Sequence, residues 1–576
     1  MRYRCFILVC LAGCLVLPAC RTATSPETAA PAIETPPPPA PPAPESPLES
    51  RTTPVTVETL SPGDKVLLTR DGALLTALLH NRSLDVARLG PDIASTYVPE
   101  ARAQFDPVIG ATVSYGREST PILGSTSTAA TPSSGYSGGG TGDLLSLSQG
   151  LNQSLYRLGQ TVDRLDAMYD RQSDRRITSG SVTLQQELPT GTLVFLTGTA
   201  SDTEVEGAAR DYRGGWGVGL RQPLLEGAGM RTNLAVLRQA KAQASRGEAL
   251  FRAEVLETLR QTELAYWDLV LSTELRRIRE YAVQLADEEL AFTQELLNVG
   301  KAIQGDVMAA RAERASRQAD LSDADAAIRA DTVTLIRLLN PNGNSPWDLS
   351  FEPADPPEVA QAPVDAETSV EMGLTYRPEL EAARLETERA KFARIQTRNA
   401  LLPTLDLAGS YGQNSQGTSS SGILRHLDDD YFDEYSLGLE FEAPLVNRSE
   451  KARHRRAQLV TQQAERTVTD LEQQVSAAVR EAVIETERQW QRYQSVGEAV
   501  QSRAEQFRVA KGRNAVGKTS ILDLHIVERD YIQAQVDEVT ARVRYIQALT
   551  NLYAAEGTLP ARRGITLDKE TSTYDQ

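Results

Sequence analysis

Cysteine is almost missing from this chain. All four, Cys5, Cys10, Cys14 and Cys20, lie within the first twenty residues. The rest can form no disulfide and offers no thiolate to a metal or a substrate. Histidine is nearly as scarce: His80, His426, His454 and His525 are scattered, without metal-ligand spacing. Beyond the N-terminal segment no run of 18 apolar residues occurs. That excludes a transmembrane helix and leaves a β-barrel as the way across a bilayer. Basic residues are outnumbered, with a formal net charge of −17, which excludes nucleic acid as an expected partner, because phosphate binding needs clustered positive charge. No nucleophile elbow occurs, so neither an enzyme nor a cofactor is expected. Proline is missing from two long stretches, between Pro223 and Pro341 and between Pro444 and Pro560.

What is present begins with a targeting signal. Arg2 and Arg4 precede an apolar run over 5–17 that ends in Leu17-Pro18-Ala19-Cys20. A basic n-region, a short apolar core and small residues at the cleavage point read as a secretory signal. Its end resembles a bacterial lipobox with lipidation at Cys20; Leu11-Ala12-Gly13-Cys14 is the competing site, and a plain secretory signal the bland reading. Arg21 follows, where many inner-membrane lipoproteins carry aspartate. One lipid is a marginal anchor, so a second attachment is expected. Residues 22–54, dense in Pro, Ala, Glu and Thr, cannot bury a core and read as a tether.

The chain then contains itself twice. Ala87-Arg88-Leu89, Pro107 and Ser114-Tyr115-Gly116 recur 296 residues later as Ala383-Arg384-Leu385, Pro403 and Ser410-Tyr411-Gly412. Val299-Gly300-Lys301 and Asp306 recur 217 residues later as Val516-Gly517-Lys518 and Asp523. A unit of roughly 200 residues is too long for a solenoid repeat.

Each half reads as helix, strands, long helical hairpin. The first helices run from about Leu74 to Gln104 and from about Val370 to Leu402. Alternation follows in Thr404–Ala408, in Tyr435–Glu442, and at Trp216, Val218 and Leu220. A two-residue period means one apolar and one polar face, which suits a membrane barrel or an ordinary half-buried sheet equally. The proline-free stretches are rich in helix formers and predict helices over 232–298 and 450–513, each roughly 100 Å long at 1.5 Å per residue. Both should break at Val-Gly-Lys, with glycine as a C-terminal cap and the aspartate opening the return helix. The first half carries an insertion: 116–142 reads as a loop, 143–171 has weak helical spacing, and 181–200 reads as an extra hairpin turning at Pro189-Thr190-Gly191.

One motif is refused. Gly512-Arg513-Asn514-Ala515-Val516-Gly517-Lys518-Thr519 matches the phosphate-binding loop string. That loop needs a preceding strand, and here the preceding sixty or so residues read as helix. The equivalent stretch of the first half has Glu295 and Ala302 at the positions that matter. A hairpin turn explains both copies; a nucleotide site explains one.

The lipobox, the two helix–strand–long-helix repeats and the Val-Gly-x-x-x-x-x-Asp tips together resemble the TolC-like outer-membrane efflux proteins. Pro223-Leu224-Leu225-Glu226-Gly227-Ala228-Gly229 and Arg377-Pro378-Glu379-Leu380 look like family sequence too. The resemblance implies long antiparallel α-helical hairpins, an α-barrel when trimeric, and strands of a shared twelve-stranded transmembrane β-barrel, four per chain. It implies a homotrimer in outer-membrane lipid, a periplasmic adaptor at Val299, Gly300, Lys301, Val516, Gly517 and Lys518, and an inner-membrane RND or ABC transporter behind it. Asp306 and Asp523 would line the periplasmic gate, beside their simpler role as helix caps. The family's lock positions here look like Asn514, Thr519 and Ile526, so the closing contacts should differ. The expected division is a signal over 1–20, a tether over 21–60, repeat one over 61–345, a linker over 346–366, repeat two over 367–560 and a polar tail over 561–576. The competing reading from another class is a periplasmic structural coiled-coil lipoprotein without transport.

Overall fold

The computed structural model describes residues 65–121, 172–205, 209–340, 347, 349–418, 432–515 and 518–565. The signal, Cys20, the tether to residue 60, the 143–171 segment, the tip residues Val516 and Gly517, and 566–576 lie outside them.

A short strand β1 (Lys65–Leu68) leads into helices α1 (Arg70–His80) and α2 (Arg82–Arg102). Strands β2 (Val108–Pro121), β3 (Gln172–Glu187), β4 (Leu193–Val205) and β5 (Asp211–Pro223) follow, then the hairpin of α3 (Ala235–Asn298) and α4 (Gln304–Leu339). The second half runs β6 (Ser350–Pro353), α5 (Ala366–Tyr376), α6 (Pro378–Asn399), β7 (Thr404–Gly417), β8 (Phe432–Glu442), α7 (Arg448–Ala515) and α8 (Ile521–Ala555). At 64 and 68 residues, α3 and α7 each span roughly 100 Å.

The helices expected before each set of strands are each two. Asn81 leaves helical geometry, and its side-chain oxygen accepts the N–H groups of Ser83 and Leu84, which starts α2 afresh. In the second half Pro378 has the same effect, since the residue before a proline avoids the helical region and Arg377 is extended (ψ 120°). Gly247 of α3 lets α2 lie close: a Cβ there would sit 2.9 Å from that of Ala94.

The main core lies about halfway along α3, where α4 ends. Tyr266, Trp267, Leu269 and Val270 of α3 pack with Leu335, Ile336 and Leu339 of α4 against Val66, Leu68 and Phe351. Those last three belong to β1 and β6, which pair in parallel from Lys65↔Ser350 to Leu68↔Pro353. Sequence periodicity gives no sign of this clip, and β6 falls inside the expected linker. Asp355 fastens it, accepting from the Arg70 amide at 2.6 Å and the Tyr266 hydroxyl at 2.9 Å. A second cluster joins Leu74 and Leu84 to Leu256, Leu259, Tyr553 and Leu559, and a third joins Leu380 to Val475, Val479, Val483 and Leu552.

One antiparallel sheet holds six strands in the order β2-β3-β4-β5-β7-β8. The expected 181–200 hairpin is real, and its neighbours extend it. Strand β2 runs on to Pro121, through residues expected to be loop. The resemblance implies four strands per chain; this sheet has six, because the inserted hairpin lies between the two strands that the first half shares with the second.

Of the expected tail segment, residues 561–565 are described. Arg563 is buried, and its guanidinium forks onto Glu263 of α3 at 2.6 and 3.1 Å. An ion pair inside the protein is held by the fold around it, so the chain stays packed to residue 565.

Candidate channel wall and helical tips

In an antiparallel sheet, residues directly opposite point to one face. The register strings Ile109, Leu184, Leu196, Val218, Tyr411 and Tyr435 into one row across all six strands. The next row on that face runs Gln186, Val194, Leu220, Gly409 and Leu437. Leu439, Phe441, Val113 and Tyr115 extend the same apolar band, and all stand open, Val113 at 83% and Tyr435 at 84% exposure. On this face the charges lie towards the end away from the helices, where Arg176 and Arg210 reach Glu204 at 3.6 and 2.9 Å.

The opposite face is built differently. Its rows read Gly110, Thr183, Thr197, Gly217, Gly412, Glu434 and Thr112, Ser181, Thr199, Gly215, Asn414, Phe432, polar or glycine but for the last. Hydroxyls pair across strands there: Ser114 with Ser179 at 2.7 Å, Ser410 with Ser436 at 2.7 Å, Thr183 with Thr197 at 3.3 Å. At its helix end Arg221 approaches Asp406 and Glu440 at 4.0 and 3.8 Å. This settles the alternation left open by the sequence. The apolar face stands exposed, with no other element of the described residues packed over it, so within them the sheet is not half-buried in a protein core. An outward apolar band and an inward polar face are what a lipid-embedded wall around water requires.

The other end of the molecule carries the tips. Helix α3 closes with Gly300 in the left-handed region (φ 71°), where its N–H donates to Leu297 and that of Lys301 donates to Leu296 at 2.8 Å. This is the six-to-one closure of a glycine-capped helix. In the second half the Lys518 N–H donates to Arg513 at 2.9 Å, the same bond 217 residues on. That N–H is therefore occupied by a helix end, and Gly512 sits inside α7. The described part of the phosphate-loop string thus ends a helix instead of opening one.

Both aspartates open the return helices. The Asp306 carboxylate accepts the Ile303 N–H at 3.0 Å. At the second tip the Ser520 hydroxyl accepts the Asp523 N–H at 3.0 Å and donates to the Asp523 carboxylate at 2.7 Å. A carboxylate in the first turn meets unpaired N–H groups and the positive helix end. Val299 and Ile303 stand exposed beside Lys301, giving the first tip an apolar edge.

A contact that sequence reading missed lies above the tips. His525 of α8 hydrogen-bonds Glu289 of α3, tying the two hairpins together. That bond raises the His525 pKa above its ordinary value, against the opposing effect of burial. Burial, then the nearby Glu289, raises the pKa of Glu528 one turn on. Nothing in the sequence marks the pair, because its partners are 236 residues apart.

Long paired helices carrying a sheet with one exposed apolar face and one polar face define a class: a sheet suited to line a membrane, borne on helices that extend beyond it. Among the described residues no helix is long and apolar enough to cross a membrane, and none of their side chains cluster to hold a metal. The family model of the outer membrane efflux proteins matches residues 194–341 and 370–558, more than half of the chain. The chain belongs to that family. It is 28% identical over 221 residues to the outer membrane efflux protein BepC of Brucella suis, a match covering 38% of this chain and 46% of BepC. It thus spans about half the length of that curated relative. Its fold is shared with the Campylobacter jejuni CmeC outer membrane channel (TM-score 0.57, 15% identity, 86% of this chain and 90% of CmeC). The outer membrane protein VceC of Vibrio cholerae is similar as well (TM-score 0.56, 16% identity, 85% and 96%).

Proposed function

We propose that this chain is one of three subunits of a passive exit duct through the outer membrane. The observation that carries the proposal is the sheet: an exposed band of apolar side chains on one face, mostly hydroxyls and glycines on the other, and an unpaired strand at each edge. One chain cannot close such an arc, and lipid does not tolerate an open edge, so identical neighbours must complete it. The helices would continue the duct into the periplasm. The signal and a lipid on Cys20 would deliver and hold it. No step of chemistry is assigned to the chain, which is a conduit and not an enzyme.

The tips are the proposed working end. Val299, Gly300 and Lys301, with Val516, Gly517 and Lys518, would meet a periplasmic adaptor that couples the duct to an inner-membrane RND or ABC transporter. In a trimer, Asp306 and Asp523 would each form a ring of three like charges, which favours cations and opposes closure while ionised. The cap bonds of both aspartates fix their carboxylates in place for this. A deletion strain tests the function. Raised susceptibility to dyes, antibiotics or metals, or lost secretion, is expected, with rescue by the intact chain; no change in any of them would refute the duct.

A further inference from the structure

We propose that the β3–β4 hairpin is part of the barrel wall, so that three copies close a barrel of eighteen strands, three arcs of six, with β8 of each copy pairing to β2 of the next. This rests on the trimeric duct proposed above and goes beyond it in the size of the pore.

The hairpin is integral by register. Strand β2 pairs with β3 from Val108↔Gln185 to Pro121↔Gln172, and β3 with β4 from Glu187↔Leu193 to Arg175↔Val205. It also carries the lipid-facing pattern at the right height. Leu184 and Leu196 continue the row from Ile109 to Val218, while Thr183 and Thr197 continue the polar row behind. A hairpin lying on the sheet or inside its lumen would need neither.

The second half serves as an internal control. There β7 pairs directly with β8, from Thr404↔Glu442 to Asn414↔Phe432. The corresponding first-half strands, β2 and β5, are separated by the hairpin, which adds two strands without reversing any other. Six alternating strands leave β2 and β8 antiparallel, so the edge of one copy can continue the ladder of the next. All described residues of β8 are exposed, which fits an edge awaiting a partner.

The lower end of the hairpin is fixed to the helices. The Gly229 N–H donates to Thr190 in its turn at 3.1 Å, and Gln186 donates to the Phe105 carbonyl at 3.1 Å. Strands β2, β5, β7 and β8 connect to helices; β3 and β4 end in this turn. The barrel therefore widens above an unchanged set of helices. Barrel diameter grows roughly in proportion to strand number, so the ring would be about 1.5-fold wider than one of twelve. It would form a vestibule broader than the tunnel feeding it.

Electron cryomicroscopy of the full-length protein in detergent or nanodiscs decides this. Eighteen strands around a three-fold axis are expected. A three-fold particle with twelve strands in its ring would overturn the inference and leave the trimeric duct standing. A particle without three-fold symmetry would overturn the duct reading and the inference together. A variant lacking residues 122–207 joins β2 to β5 as β7 joins β8, and its trimer should have a barrel about two-thirds as wide. An unchanged diameter overturns the proposal, and if the variant fails to assemble, the strand count of the full chain decides between eighteen and twelve.

Discussion

Glu263 and Arg563 offer the most direct test of how the chain end is held. Their side chains are 0% and 5% exposed. The guanidinium makes two bonds to the carboxylate, at 2.6 and 3.1 Å, and Thr550 donates a third to Glu263 at 3.0 Å. Removing one partner of a buried pair leaves an uncompensated charge and costs about 3–5 kcal/mol. Glu263→Ala should therefore release the segment that follows α8. The reporters are built in: the amides of Arg562, Arg563, Gly564 and Ile565 donate to Thr558, Leu559, Ala561 and Pro560. Since each 1.4 kcal/mol is tenfold, their hydrogen-exchange protection should fall by about two to three and a half orders of magnitude, with β2–β8 amides unaffected. Glu263→Met with Arg563→Met should recover most of the loss, because a matched apolar replacement leaves no charge stranded. A fall of less than tenfold in the single variant, or a double variant as damaged as the single, would refute the reasoning.

Three further outcomes are expected. Leu437→Arg, on the apolar face, should cost about 2–4 kcal/mol of barrel stability at mid-bilayer depth, while Ser436→Arg, one residue away on the polar face, should cost far less; heat-modifiable trimer on gels reads the difference. Gly412→Val should break the β5–β7 seam, because a Cβ there would lie 2.7 Å from the Trp216 carbonyl oxygen, a backbone atom that cannot step aside; loss of trimer at a temperature the parent survives checks it. The His525–Glu289 tie should loosen on alkalinisation. The folded pKa values of both His525 and Glu528 are raised, so each contributes stability that is complete below its unfolded value and lost as pH rises through its folded one. Exchange protection of α8 near residue 525 should drop as the pH rises above the ordinary histidine range of about 6.5, and His525→Gln should flatten that profile.

The periodic parts of this molecule were legible in its sequence. The Thr404–Ala408 and Tyr435–Glu442 runs pair as read, through Leu405↔Phe441 and Leu407↔Leu439, because a two-residue period is a local property. The breaks at Val-Gly-Lys were legible for the same reason: a glycine after a long helical run has few other uses. What stayed hidden depends on partners far apart. Lys65–Leu68 is too short to announce a strand without Ser350–Pro353, its partner in the other half. Glu263 and Arg563, 300 residues apart, look like two more charges among many on helix surfaces. The helix breaks at Asn81 and Pro378 could have been found, since both carry cap chemistry that the apolar spacing outweighed.

Where the two halves diverge, the backbone is kept and the side-chain means are not. Both tips end on the same six-to-one bond and both return helices have aspartate at the third position. Yet Asp306 reaches back to the amide of Ile303, while Asp523 is held through the hydroxyl of Ser520. The first tip therefore presents an apolar residue where the second presents a polar one, 217 residues later. If one surface on an adaptor met both tips alike, nothing would maintain that difference. If the tips dock an adaptor as proposed, they offer it two unlike surfaces. Ile303→Ser should then weaken adaptor cross-linking at the first tip and leave the second intact. An equal loss at both would show that the adaptor reads the common backbone turn instead.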